Sequence, residues 1–295
     1  MSTVEVSFET PSSPYQSRSL MADMWYRLWR NKMALVGLVI VVLLILMAIF
    51  APLIVPHDPV KIDPSATFQP PSLEHPFGTD EYGRDLFSRV IYGSRISLMV
   101  GSISVSIALT AGTLLGLLSG YYMGVVDLII SRIMDLMFAF PGLLLALLFL
   151  AILGPGMDRL MLAVGIRYMP IFARLVRGVV IAEKQKMYKE AADVVGCSSV
   201  RIMCVHILPN VIPTILVQTS LAMSFAILAE AGLSFLGLGT QPPTPSWGTM
   251  LSKARNMINF SPWLSIWPGL AIMFAVFGFN VLGDGLRDAI DPRLR

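Results

Sequence analysis

Charge is scarce in this chain: Asp, Glu, Lys and Arg together make up 14% of its 295 residues, against 55% hydrophobic side chains. A soluble domain with one core seldom carries so little charge, so the composition sets aside an ordinary soluble enzyme in favour of a membrane protein. Reactive and metal-binding side chains are scarce as well. There are two cysteines, Cys197 and Cys204, and three histidines, His57, His75 and His206, scattered along the sequence. With no H-E-x-x-H and no Cys/His cluster, no metal site is expected. The two cysteines fall in a segment read as cytoplasmic, where thiols stay reduced, so no disulfide is expected either. No lysine follows a glycine, so the G-x-x-x-x-G-K-[ST] loop that cradles nucleotide phosphates is absent. No catalytic residue and no cofactor-binding residue is expected in this chain.

Long apolar runs take the place of these features. A spanning helix needs ~20 mostly apolar residues, and such runs occur at 33–55, 97–122, 136–153, 211–230 and 264–282. A weaker run at 158–176 is interrupted by Arg167 and Pro170. Basic residues collect before the first run (Arg18, Arg27, Arg30, Lys32) and over 174–201, ahead of the run at 211–230 (Arg174, Arg177, Lys184, Lys186, Lys189, Arg201). Basic loops stay on the cytoplasmic side, so an even number of crossings must separate these two regions, and the weak run is counted as a span. Six transmembrane helices follow, with both termini cytoplasmic, in agreement with Arg287, Arg293 and Arg295 at the end of the chain. The loop at 56–96 conflicts mildly, since it would be external yet holds Lys61, Arg84, Arg89 and Arg95 beside six acids. Topology accounts for the net charge of +3, so no nucleic-acid partner is called for. Residues 1–20, rich in Ser, Thr and Pro, read as a disordered cytoplasmic tail, and the first run reads as an uncleaved anchor.

Several polar and small residues stand out within the apolar runs. Arg167 and Glu230 are the deepest charges, each a candidate for a polar cavity or for a charge that snorkels to an interface. Arg132 and Asp135, three apart, have the spacing of a helical ion pair. The second run is dense in small residues, among them Gly101, Gly112, Gly116 and Gly120, which suit close helix packing or a pathway. Pro141 is expected to bend the third span or mark its start. The stretch TQPPTPSWGTM cannot be helical across its prolines, and Trp247, Trp263 and Trp267 suit a membrane–water boundary.

Between Glu190 and Asn210 the chain reads EAADVVGCSSVRIMCVHILPN, a polar, punctuated stretch. Tyr188, Ala191, Ala192 and Val195 share one helical face by their i, i+3, i+4, i+7 spacing, with Lys189, Glu190 and Asp193 opposite. Gly196 suits the left-handed position that closes this helix, and Ser198 or Ser199 a cap for the next, which is expected to end near Pro209. The small residues Ala191, Ala192 and Gly196 allow close approach of another surface, as a docking knob would; the bland alternative is an amphipathic connector lying at the interface. A DNA-reading helix-turn-helix fits poorly, since VRIMCVHIL offers only Arg201 and His206 to base edges.

The order Glu190, Ala191, Ala192, Gly196 and then, ten residues on, His206-x-Leu208-Pro209-Asn210 resembles the cytoplasmic loop of permease subunits of bacterial ABC importers. The blocks FGTDEYGRDLFSRVIYGSRISL at 77–98, LSFLGLGTQPPTPSWGTM at 233–250 and GDGLRDAIDPRLR at 283–295 are similar to segments of the dipeptide, oligopeptide, nickel and glutathione permeases, and RNKMALVG to the extra N-terminal segment of one of their two permease types. The resemblance implies an all-α, polytopic type I permease in the bacterial inner membrane, with a coupling-helix loop at about 186–209. That loop would hold Tyr188, Glu190, Ala191, Ala192, Gly196, His206, Leu208, Pro209 and Asn210 against a cytoplasmic ATPase. It further implies a second homologous permease, one or two ATPase subunits that bind ATP and Mg, and an extracytoplasmic binding protein that delivers di- or oligopeptides. By this reading 21–75 is an N-terminal segment with the first span, and 76–295 is the permease core. Nickel or glutathione are the alternative substrates, an ion-gradient-driven transporter or a membrane scaffold the alternative classes. No substrate-pathway residue is named by the sequence.

Overall fold

In a computed structural model of the chain, residue 29 and residues 31–290 are described. The expected tail at 1–20 and the basic residues Arg18, Arg27, Arg30, Arg293 and Arg295 lie outside the described residues. Among the described residues every element is helical: α1 (Lys32–Ile54), α2 (Leu86–Tyr122), α3 (Gly124–Phe138), α4 (Gly142–Leu153), α5 (Met157–Glu183), α6 (Met187–Val194), α7 (Ser199–Phe235), α8 (Trp247–Ala254) and α9 (Trp263–Ile290), with one 3-10 turn at Pro64–Ala66. Four of these, α1, α2, α7 and α9, are long and apolar enough to cross a membrane, and a fifth span is obtained if α3 and α4 count as one. That pair is bent by 94°. Pro141 sits at the break as the residue before α4, where its fixed φ starts a new helix and its missing N–H costs nothing. The run read at 136–153 is therefore not one straight helix.

The first two long helices begin where the sequence supplies an acceptor. Asn31 accepts from the amides of Met33 and Ala34 to open α1, and Asp85 accepts from Ser88 to open α2. The outer face of α1 is apolar and uncovered, with Leu43 60%, Ile49 60% and Leu53 81% exposed, as a lipid-facing helix requires. Its other face is narrow and packs on α9 through small residues: a side chain on Gly37 or Gly278 would collide with the neighbouring helix.

The central contact is between α2 and α5, which run parallel. Gly112, Gly116 and Gly120 face Phe172, Val176 and Val180 in register; a Cβ on Gly116 would lie 2.6 Å from the Ala173 carbonyl oxygen and 2.7 Å from Val176 Cβ. This four-residue spacing lets the backbones meet, and dispersion replaces the hydrophobic effect that lipid cannot supply. The glycine stripe of α2 is thus packing surface.

The two ends of the bundle differ. At one end the segment 56–85 is folded onto α2 and α8, and two arginines are buried where they meet: Arg84 of the segment lies 2.7 Å from Asp80, and Arg89 of α2 reaches the same carboxylate at 3.5 Å and donates to the Pro59 carbonyl at 2.6 Å. These charges are internal struts, which removes the basis for treating them as topology signals. Trp247 is fully buried there and donates to the Val90 carbonyl at 3.0 Å, so it belongs to the protein core and not to a membrane boundary. At the other end Asp135 pairs with Arg174 of α5 at 2.8 Å in place of the expected Arg132, because α3 packs on α5 and presents Asp135 to it. Asp127 takes a bidentate pair from Arg177 at 2.6 and 2.7 Å.

Candidate functional site

The segment 184–198, between α5 and α7, is held from beneath by one buried acid. Glu183, in the last turn of α5, accepts from Lys186 Nζ at 2.6 Å and from the Tyr188 hydroxyl at 2.7 Å. Asn210 Nδ2 reaches the Tyr188 oxygen at 3.5 Å and donates to the His206 carbonyl at 2.8 Å, which ties α7 into the same network. Lys184 Nζ donates to the Tyr121 carbonyl at the end of α2 at 2.5 Å. Burial, reinforced by the hydrogen bond to Glu183, pushes the Tyr188 phenol up to about 12, so it remains a donor.

Above this base, α6 closes as the sequence leads one to expect. Gly196 has φ +79°, its amide donates to the Asp193 carbonyl at 2.9 Å, and the Cys197 amide donates to Ala192 at 3.0 Å, which is a Schellman ending. Ser198 accepts from the Arg201 amide at the start of α7. Two expectations are corrected. The second helix does not end near Pro209 but runs on to Phe235, because a π-helical turn over Ile202–Ile207 widens the ladder just where the proline lacks an N–H. The inward face of α6 is narrower than Tyr188, Ala191, Ala192 and Val195: only Ala192 is buried and Tyr188 half-buried, while Ala191 is exposed and Val195, already past the helix, is 81% exposed.

What faces outward is apolar. Met187 is 85% exposed, Val194 88% and Val200 62%, and the space a side chain on Gly196 would enter is open. Glu190 and Pro209 are exposed as well, and His206, Leu208 and Asn210 are half-buried. The structure thus joins Tyr188, Asn210 and the His206 carbonyl at the base, buries Ala192, and leaves Glu190, Ala191 and Gly196 exposed. Sequence reasoning missed Glu183, whose signal was an acid amid many bases, and it placed Asp127 beside Arg132 and Asp135 without finding its partner Arg177.

The deep charges are not linked to one another. Glu230 is fully buried and accepts from Ser97 at 3.0 Å and Ser234 at 2.8 Å. The Arg167 guanidinium lies 4.4 Å from the Tyr168 ring centre and fills the space above Gly142 where α4 begins. Cys197 and Cys204 are both free thiols.

Comparison with known proteins decides what this bundle is. Residues 112–295 match the family described as binding-protein-dependent transport system inner membrane component, and residues 19–71 match the N-terminal TM domain of oligopeptide transport permease C. The chain belongs to this permease family. It is 47% identical over 293 residues to the dipeptide transport system permease protein DppC of Alkalihalophilus pseudofirmus, covering 99% of this chain and 96% of that one. It is 45% identical over 279 residues to the glutathione transport system permease protein GsiD of Pectobacterium atrosepticum, covering 94% and 93%. At 16% identity it also superposes on a chain of the inward-facing MetNI methionine ABC transporter, with TM-score 0.57, 68% of this chain and 96% of that one covered, a likeness of fold. The permease is a multi-pass inner membrane protein and a non-catalytic component of a binding-protein-dependent ABC transporter complex, in a family without bound cofactor. That membership sets aside the ion-gradient-driven alternative.

Proposed function

We propose that this permease forms half of an ATP-driven import pathway for di- or oligopeptides, pairing with a second homologous permease and receiving substrate from an extracytoplasmic binding protein. The full-length likeness to proteins named for dipeptide transport supports peptides as the substrate class. Similar identity to proteins named for glutathione transport fits the same class, since glutathione is itself a small peptide. On this reading α5 is a sixth crossing. At 27 residues it is about 40 Å long, and it tolerates Arg167 because that side chain is partly buried, with its guanidinium over the Tyr168 ring and against the start of α4. Both termini and the segment 184–198 then face the cytoplasm, residues 76–295 form the core, and 21–75 adds the outlying first span.

The observation that carries the mechanism is the exposed apolar corner formed by Met187, Val194, Val195 and Val200 around Gly196. Such side chains in water are unfavourable, and an ATPase subunit seated over them removes that cost. One or two such subunits, binding ATP and Mg, push on the corner as they close, and the network under it, Glu183, Tyr188 and Asn210, passes the displacement into α5 and α7. Lining residues of the pathway are not assigned.

The test is uptake of a labelled dipeptide, with labelled glutathione in parallel, by cells carrying the whole system with and without this permease. Permease-dependent dipeptide uptake, together with recovery of an ATPase and a second permease on purification, supports the reading. Transport of neither compound, or purification of the permease alone in intact form, overturns it.

A further inference from the structure

We propose that His57, His75 and Asp85 form a binding site for a divalent transition-metal ion of the zinc class at the end of the bundle away from the coupling corner. This inference stands apart from the choice of substrate. The three residues are 18 and 10 positions apart in sequence, which is why no cluster was legible there, but the fold brings one ligand atom from each within 4.8 Å of the others. His57 follows closely on the end of α1, His75 lies in the folded loop, and Asp85 caps α2.

The geometry is that of a site close to assembled. His75 Nδ1 is 3.0 Å from Asp85 Oδ1, His57 Nδ1 is 3.8 Å from Asp85 Oδ2, and the two imidazole centres are 5.0 Å apart. Bonds of about 2.0–2.1 Å around a tetrahedral zinc ion set its ligand atoms about 3.3 Å apart, so one pair already has that spacing and the other contacts need small adjustments. Two of the three side chains are held rigidly. Asp85 is almost fully buried, and its Oδ2 accepts from the Ser88 amide at 2.8 Å and the Ser88 hydroxyl at 2.6 Å, the kind of outer support that orients a ligating carboxylate. The third is free to adjust, since the His57 side chain is 39% exposed.

A hydrogen-bonded anchor would account for His75 and Asp85 but not for His57. Its Nδ1 is shielded from solvent and has no hydrogen-bond partner, although it is aimed at Asp85. A buried nitrogen without a partner carries a desolvation cost that a metal–nitrogen bond removes. Two imidazoles and one carboxylate suit Zn²⁺, with Ni²⁺ and Cu²⁺ as related ions, and not Ca²⁺ or Mg²⁺, which take oxygen ligands. Three protein ligands leave a position for water, and the exposed edge of His57 gives the ion its way in. Bound there, the ion joins the end of α1 to the start of α2 and takes the place of the direct contact between His75 Nδ1 and Asp85 Oδ1.

The experiment uses the full transporter complex, purified in detergent, stripped with a chelator and equilibrated with Zn²⁺ alone at micromolar concentration, with bound metal counted by mass spectrometry. Co²⁺ in place of Zn²⁺ reports ligand geometry by its visible absorption. His57→Ala is the variant of choice, because that side chain is partly exposed and makes no hydrogen bond the fold depends on. Wild type should hold one more ion per permease than His57→Ala, the Co²⁺ bands should vanish in the variant, and affinity should fall by more than the roughly 10–100-fold that loss of an outer-sphere partner costs. Zinc should raise the unfolding temperature of wild type and not of the variant, with metal-free temperatures equal. Equal metal content in the two proteins, or no zinc retained by wild type, overturns the proposal and leaves the cluster a hydrogen-bonded anchor.

Discussion

The Tyr188 hydroxyl donates to the buried Glu183 carboxylate at 2.7 Å, and this contact joins the last turn of α5 to the first turn of α6. A charged acceptor shielded from water makes such a bond stronger than a neutral pair. Glu183→Gln keeps the shape but removes the charge that Lys186 and Tyr188 both meet, and is expected to loosen the loop by about 1–3 kcal/mol. Amide exchange across 184–198 should quicken and ATP-dependent uptake should fall several-fold while the complex still assembles. Exchange at the wild-type rate would argue against Glu183 as the anchor.

The phenol at the same contact sets a pH dependence. Its folded value, about 12, lies above the ordinary value of about 10. Its contribution to stability is therefore fully present below the ordinary value and is lost as pH rises through the folded one. Across the neutral range the loop should show no titration from this group, and absorbance of Tyr188 phenolate, isolated by difference against Tyr188→Phe, should appear only in strong alkali.

Gly196→Val places a β-branched residue at φ +79°. No neighbour lies within 4 Å of its Cβ, so the cost is backbone strain, about 1–2 kcal/mol, without a clash. The protein should insert and purify normally but transport poorly, and Gly196→Asn should be milder because Asn tolerates this conformation. Normal uptake by the valine variant would count against a role for the corner's shape.

Gly116 and Gly178 form a contrast within one bundle. A valine at Gly116 must displace α5, at about 1–3 kcal/mol for overpacking, and thermal unfolding in detergent should move down accordingly. Alanine at Gly178 meets nothing within 4 Å and sits inside α5, so it should be neutral or stabilising.

Trp247→Ala empties a fully buried site and should destabilise by about 3–5 kcal/mol. Trp247→Phe keeps most of the ring and loses the bond to the Val90 carbonyl, at about 1 kcal/mol, read from the same thermal scans.

Much of this permease was legible in its residues because the membrane imposes simple demands. Runs of apolar residues locate α1, α2, α7 and α9, since a backbone in lipid must satisfy its own hydrogen bonds and apolar side chains must cover it. Gly196 and Ser198 were equally legible, because a left-handed closing residue and an oxygen cap are local requirements of the helix ends. Pro141 marked a break for the same local reason, and the ordered blocks from 77 to 295 carried the family.

Partnership across distance was decided by the fold alone. Asp135 meets Arg174 and not Arg132, Asn210 reaches the Tyr188 hydroxyl under the corner, and His57 comes to rest beside His75, all because parallel or folded-back segments bring together residues that spacing cannot relate. The same holds for the choice between packing and pathway along α2: a glycine stripe permits either, and it became packing where α5 lay against it in register. Composition and periodicity report what each segment asks of its solvent. Which side chains answer one another depends on the solvent being replaced by protein, and that is settled only when the helices pack.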